Sequence, residues 1–137
     1  YHLNWMDDRM VHKEIIKHLD KDVKFEAINK ELNIFEAYNL FSCLNFHYTN
    51  RRHSVVFAAM QGSSTAVINT SLKGHLDPLT RDLNIKENLI NFSEKEQKII
   101  NKIYNLWLKR KKTEVKLKRK IKIFKDKARK QFTQLIN

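Results

Sequence analysis

Val11, Ile15, Ile16 and Leu19 recur at helical spacing. They predict a first helix over residues 7–19, with Asp7 and Asp8 at the N-terminus, where capping and the helix dipole favour acids. Phe25, Ile28 and Leu32 predict a shorter helix over 24–32, with Asp22 as its cap. Asn33 interrupts that pattern, as asparagine does where a tight turn needs the left-handed conformation. A third helix is expected from about Phe35 to Tyr48. Ile34, Ala37, Phe41 and Leu44 make one apolar side of it, and Leu40, Cys43 and Phe46 make another. A helix apolar on both sides is buried on both sides.

The texture then changes. "HSVVFAAM" (53–60) and "TAVINT" (65–70) are β-branched or small apolar runs on either side of "QGSS". A turn signal between two such runs predicts a β-hairpin. Residues 71–92 form a connector with one more helical stretch, for which Asp77 is a cap and Pro78 a first residue. "KELNIFE" (30–36) is echoed by "RDLNIKE" (81–87), which raises the possibility of a second helix-turn-helix-like unit. From Ser93 the pattern predicts one long helix, with Ser93 and Glu96 as a capping box. Ile99, Ile103, Leu106, Leu117, Ile121, Phe124, Ala128 and Leu135 fall on its single stripe, which is polar at Arg110 and Thr113. At 1.5 Å per residue such a helix would run about 65 Å, longer than a body of this size needs, so its distal part is expected to project or to pack on a partner. The expected organisation is a body over 1–70, a connector over 71–92 and a long helix over 93–137.

Charge sharpens this picture. The chain has 137 residues and a net charge of +12. Residues 1–108 hold 14 Lys/Arg and 13 Asp/Glu, whereas residues 109–137 hold 13 Lys/Arg against Glu114 and Asp126 alone. A near-neutral body therefore carries a strongly basic tail. Lysines in such excess repel one another along a helix and call for an anionic partner. The run from Lys109 to Lys130 is the candidate phosphate-contacting segment, densest at Lys109, Arg110, Lys111, Lys112, Lys116, Lys118, Arg119 and Lys120. Two glycines and one proline argue for a mostly helical protein. The single cysteine excludes an internal disulfide and fits a reducing, intracellular setting. No apolar run approaches the ~18 residues of a membrane span.

Three helices followed by a hairpin over residues 7–70 resemble the winged-helix class of helix-turn-helix domains. Within it, "VKFEAINKELNIFEAYNLFSCLNFHY" followed by "HSVVFAAM" is similar in pattern to the amino-terminal domain of the third subunit of DNA polymerase delta. The long basic helix departs from that pattern. The resemblance implies that the third helix would be the DNA-reading one. Its composition opposes this role, because no Lys or Arg occurs from Glu31 to Asn50 and base reading needs donors and cations. Leu40 and Phe46 are instead the candidate protein-docking residues. Arg51 and Arg52, just beyond, are candidate phosphate contacts, although a solvated turn explains them as well.

Catalytic chemistry finds no footing. His47 and His53 lack further ligands at metal spacing. Cys43 is expected to be a small buried hydrophobe. Ser63 and Ser64 lack the G-x-S-x-G setting of a nucleophile elbow, and no glycine-rich phosphate loop occurs. Trp5 is expected to anchor the first helix and Trp107 to lie in the core. The sequence thus predicts a non-enzymatic, cofactor-free, mostly α protein: a winged-helix-like body of three helices and a hairpin, then a long basic helix. The body would dock to protein and the tail would contact DNA or RNA phosphates with little sequence preference. A structural subunit of a ribonucleoprotein is an alternative. An adaptor lying on an anionic membrane is another, ranked lower because the apolar stripe is narrow and lacks tryptophan beyond Trp107.

Overall fold

The computed structural model describes residues 8–70 and 75–136. The chain divides into two units, Tyr1–Asn33 and Ile34–Asn137. In the first, α1 (Asp8–Lys17) forms where the apolar spacing placed it. Glu14 supports its last turn through Lys17 at 2.8 Å. The helix expected over 24–32 does not form. Phe25 and Ile28 are more than two-fifths exposed there, and so short a segment with no buried face is not stable as a helix. Trp5 and Asp7 lie outside the described residues.

The second unit holds α2 (Ile34–Cys43), β1 (His47–Thr49), α3 (Arg52–Gln61), β2 (Thr65–Asn69), α4 (Asp77–Asp82), a 3₁₀ turn (Lys86–Asn88), β3 (Leu89–Asn91), α5 (Glu96–Leu108) and α6 (Arg110–Ile136). The strands form one parallel sheet in the order β1-β2-β3. Its register pairs Thr49 with Val67 and Val67 with Leu89. Parallel neighbours need a crossover between them. α3 supplies the first crossover, and the segment containing α4 and the 3₁₀ turn supplies the second.

Helix prevails, as composition indicated, but the expected hairpin is absent. Residues 53–60 are helical, and 65–69 pair with strands on either side instead. An apolar run of eight fits strand and helix equally by periodicity. What decides it is that Val55, Ala58 and Ala59, at i, i+3 and i+4, are all buried, and that alanine is the strongest helix former. Gly62 then ends α3 with φ 74°. Its N–H bonds Ala59 O, and the N–H of Ser63 bonds Ala58 O, the Schellman pattern that only a left-handed residue closes cheaply. The third helix also stops earlier than expected, at Cys43, because His47–Thr49 extend into β1. The sheet runs from residue 47 to 91, across the boundary expected at residue 70. Nor do the echoed segments match: "KELNIFE" enters α2, whereas "RDLNIKE" leaves α4 through Asn84, at φ 58°.

β2 is buried from Thr65 to Ile68, as a strand covered on both faces must be. Val67 packs with Val55, Ala59, Leu76, Leu83, Ile85 and Leu117. Its neighbours Ala66 and Ile68 point the other way, into a cluster with Ile90 and Leu106. This explains why the C-terminal segment is two helices rather than one. Ile99, Ile103 and Leu106 of α5 serve the second cluster, whereas Leu117, Ile121 and Phe124 of α6 serve the first. One straight helix cannot cover opposite faces of a sheet, and the break falls between the two sets, at Lys109. The Ser93–Glu96 capping box does not form; Lys95 is the N-cap, without a side-chain bond. Beyond Phe124 no residue of α6 through Leu135 is buried, and Leu135 is 85% exposed.

Candidate nucleic-acid interface

The basic residues sit on α6, which is anchored rather than free. Leu117 is fully buried, and the helix lies against α3 and the α4–β3 segment through its apolar stripe. Its 27 residues would extend about 40 Å. Cations therefore leave it on the sides not turned to the core.

The expected phosphate-binding residues divide into two groups. Several are already engaged within the protein. Arg110 is half-buried, with its guanidinium 4.4 Å above the Trp107 ring and Nη1 donating to Trp107 O at 3.0 Å. Lys111 pairs with Glu114 at 3.3 Å and Lys116 with Glu87 at 2.6 Å. Lys120 lies 5.1 Å from the centre of the Phe124 ring. Burial pushes the Glu87 carboxyl up, but the hydrogen bond from Lys116 and the charges of Lys116 and Lys112 outweigh it, and the pKa is lowered. Lys109, Lys112, Lys118 and Arg119 are exposed. Arg51 and Arg52 stand at the N-terminal end of α3, exposed. Neither lines the groove between α3 and α6, to which α3 contributes Met60.

A groove of about 320 Å³ runs between Met60 of α3 and one side of α6. Ile121 shares its apolar lining, and its charged lining is Lys118, Lys122, Lys125 and Arg129 with one acid, Asp126. Three of these cations, Lys122, Lys125 and Arg129, were not among the expected densest positions. The 4-3-4 spacing from 118 to 129 was their available signal, since it places all four on one helix side. Gly62 leaves room for Lys118: a Cβ there would lie 2.9 Å from Lys118 Cγ and Cε. The lysine stem thus lies directly on a backbone that carries no side chain.

Of the candidate docking residues, Phe46 is half-buried against the Ala66–Ile68–Ile90 cluster and Leu40 is half-buried. The more open apolar positions of α2 are Ile34 and Phe35, at 64% and 76% exposure. Trp107 is not core; it is exposed and stacks on Tyr104 at 6.1 Å. Cys43 is exposed too, its Sγ 3.8 Å from Asn39 O.

One further cluster is polar and internal. His47, Ser64 and Asn88 stand at the N-terminal ends of β1, β2 and β3. His47 N–H donates to Ser64 O at 2.8 Å, and Asn88 Nδ2 donates to Thr65 O at 2.7 Å. His47 Nδ1, Ser64 Oγ and Asn88 Oδ1 are buried without a protein partner. Burial lowers the His47 pKa from its ordinary 6.5 to about 4, so the imidazole is neutral at physiological pH. No group of three or more metal-ligating side chains occurs among the described residues, nor any helix long and apolar enough to cross a membrane.

Compared with protein-family models, curated proteins and solved structures, the chain matches none.

Proposed function

We propose that this protein is a non-catalytic, nucleic-acid-associated module of the cell interior. Its body docks to protein, and its basic C-terminal helix contacts phosphates without strong sequence preference. The observation that carries this reading is α6 itself: a helix clamped to the body by Leu117, Ile121 and Phe124 that carries an excess of cations which its own acids do not balance. Holding a like-charged helix in one place is unfavourable unless an anion offsets the repulsion. Phosphate contacts position a protein without reading sequence, which agrees with the lack of a cationic reading helix in the body. The reading rests on α6 and not on a wing. Exposed Ile34 and Phe35 support the docking half of the proposal.

A membrane-surface role is disfavoured by the placement of the exposed apolar residues. Val115, Ile123, Phe132 and Leu135 are open to solvent, but at 100° per residue the first two lie on one side of α6 and the last two on the opposite side, rather than along one face. Mobility shift with plain nucleic acid and sedimentation with anionic liposomes, run on the same preparation, separate the two. Retention of nucleic acid is expected, with release from liposomes as salt rises. Liposome binding that survives high salt, with no retention of nucleic acid, would overturn it.

A further inference from the structure

We infer that the groove between α3 and α6 is the track for the backbone of a single nucleic-acid strand, seated on Lys118, Lys122, Lys125 and Arg129. This rests on the proposed nucleic-acid role and gives it an address on the molecule.

Three observations lead there. First, these four cations have no salt-bridge partner among the described residues, whereas Lys111 and Lys116 are each spent on an internal glutamate. Asp126 is the single acid in the groove lining. Second, they recur once per turn on one side of α6, over about 16 Å from Lys118 to Arg129. A single strand presents one negative charge at each regular step, with phosphates about 3.4 Å apart along a duplex axis, so a row of cations of that length spans several of them. Third, the opposite wall belongs to the folded body. Met60 closes the groove from α3, and Gly62, just beyond, lets the Lys118 stem lie against the backbone. A helix held against such a wall presents its cations in one fixed row, which an isolated basic tail would not. The apolar lining is only Met60 and Ile121. That is too small for the apolar face of a partner helix, which needs anchors over several turns, and it favours a strand that asks for charge and little burial.

The wall permits a test that leaves every tail charge in place. Met60 is partly exposed near the C-terminal end of α3, so Met60→Glu puts an anion into the groove, and Met60→Gln is its neutral control. Binding of an oligothymidylate, which offers phosphates with uniform bases, is followed by fluorescence anisotropy across a salt series. We expect Met60→Glu to weaken binding about tenfold relative to Met60→Gln, with equal melting temperatures. Lys122→Gln/Lys125→Gln/Arg129→Gln should lower the salt slope by about 2 and lose more affinity than Lys109→Gln/Lys111→Gln/Lys112→Gln, which removes as many charges outside the groove. If Met60→Glu binds like its control, or the two triple variants fall equally, the track is wrong while the phosphate-binding role stands. If the parent does not bind the oligonucleotide at all, the role itself fails, and with it the track.

Discussion

His47 is the residue whose behaviour follows most directly from its surroundings. It enters β1 with its ring edge-on to Phe41, 4.9 Å between centres, and burial lowers its pKa to about 4. The unfolded chain therefore binds a proton below the ordinary histidine value while the folded chain does not, so stability is present above that value and is lost as pH falls from about 6.5 toward 4. On going from about pH 7 to about pH 5 the loss from this one group should be on the order of 2 kcal/mol. Urea unfolding of the parent and of His47→Gln at the two pH values checks it. The parent should lose that much more than the variant, and equal losses would show that His47 takes up a proton in the folded state. Glu87 and Glu94, both lowered, act in the same direction at more acid pH; Glu94 is held down chiefly by its hydrogen bond from Lys98. None of this was legible in the sequence, where His47 reads as the end of a helix and its burial is decided by a strand three residues long.

At the scale of elements, apolar residues at helical spacing gave α1, α2 and the C-terminal helices, and Asp77 with Pro78 gave α4. Periodicity failed where tertiary pairing decides. "HSVVFAAM" has strand-like valines, yet a parallel sheet needs a helix between β1 and β2. Strands of three and five residues are too short to show alternation. The stripe along α5 and α6 was visible as one line, but not its division between two faces of a sheet that was itself unseen. That division makes the two ends of the stripe unequal. Leu117 and Leu135 project in the same helical direction, yet Leu117 is fully buried and Leu135 is 85% exposed. Leu117→Ala should cost about 2–4 kcal/mol by leaving a cavity beneath α6, and Leu135→Ala should stay within about 0.5 kcal/mol. Thermal melts of the two variants check this; comparable losses would mean that the distal helix also packs.

For the whole molecule, the central claim is that a basic helix fixed to a near-neutral body binds polyanions through phosphate neutralisation. The charge asymmetry behind it was plain in the sequence, and so were most of the cations. Their sorting was not, because pairing with Glu87 across 29 residues and the wall at Met60 exist only in the fold. The most direct test is the salt dependence of binding. If about half of the 13 cations beyond Leu108 engage phosphates, log K against log[salt] should fall with a slope of about −5 to −6 on duplex and about −4 to −5 on a single strand. Changing the exposed Lys109, Lys112, Arg119, Lys122, Lys125 and Arg129 to Gln keeps good helix formers, so the slope should flatten and affinity drop while the melting temperature barely moves. Scrambling the base sequence should leave both slopes unchanged. A flat salt dependence in the parent, or an unaltered slope in the six-fold variant, would contradict the account.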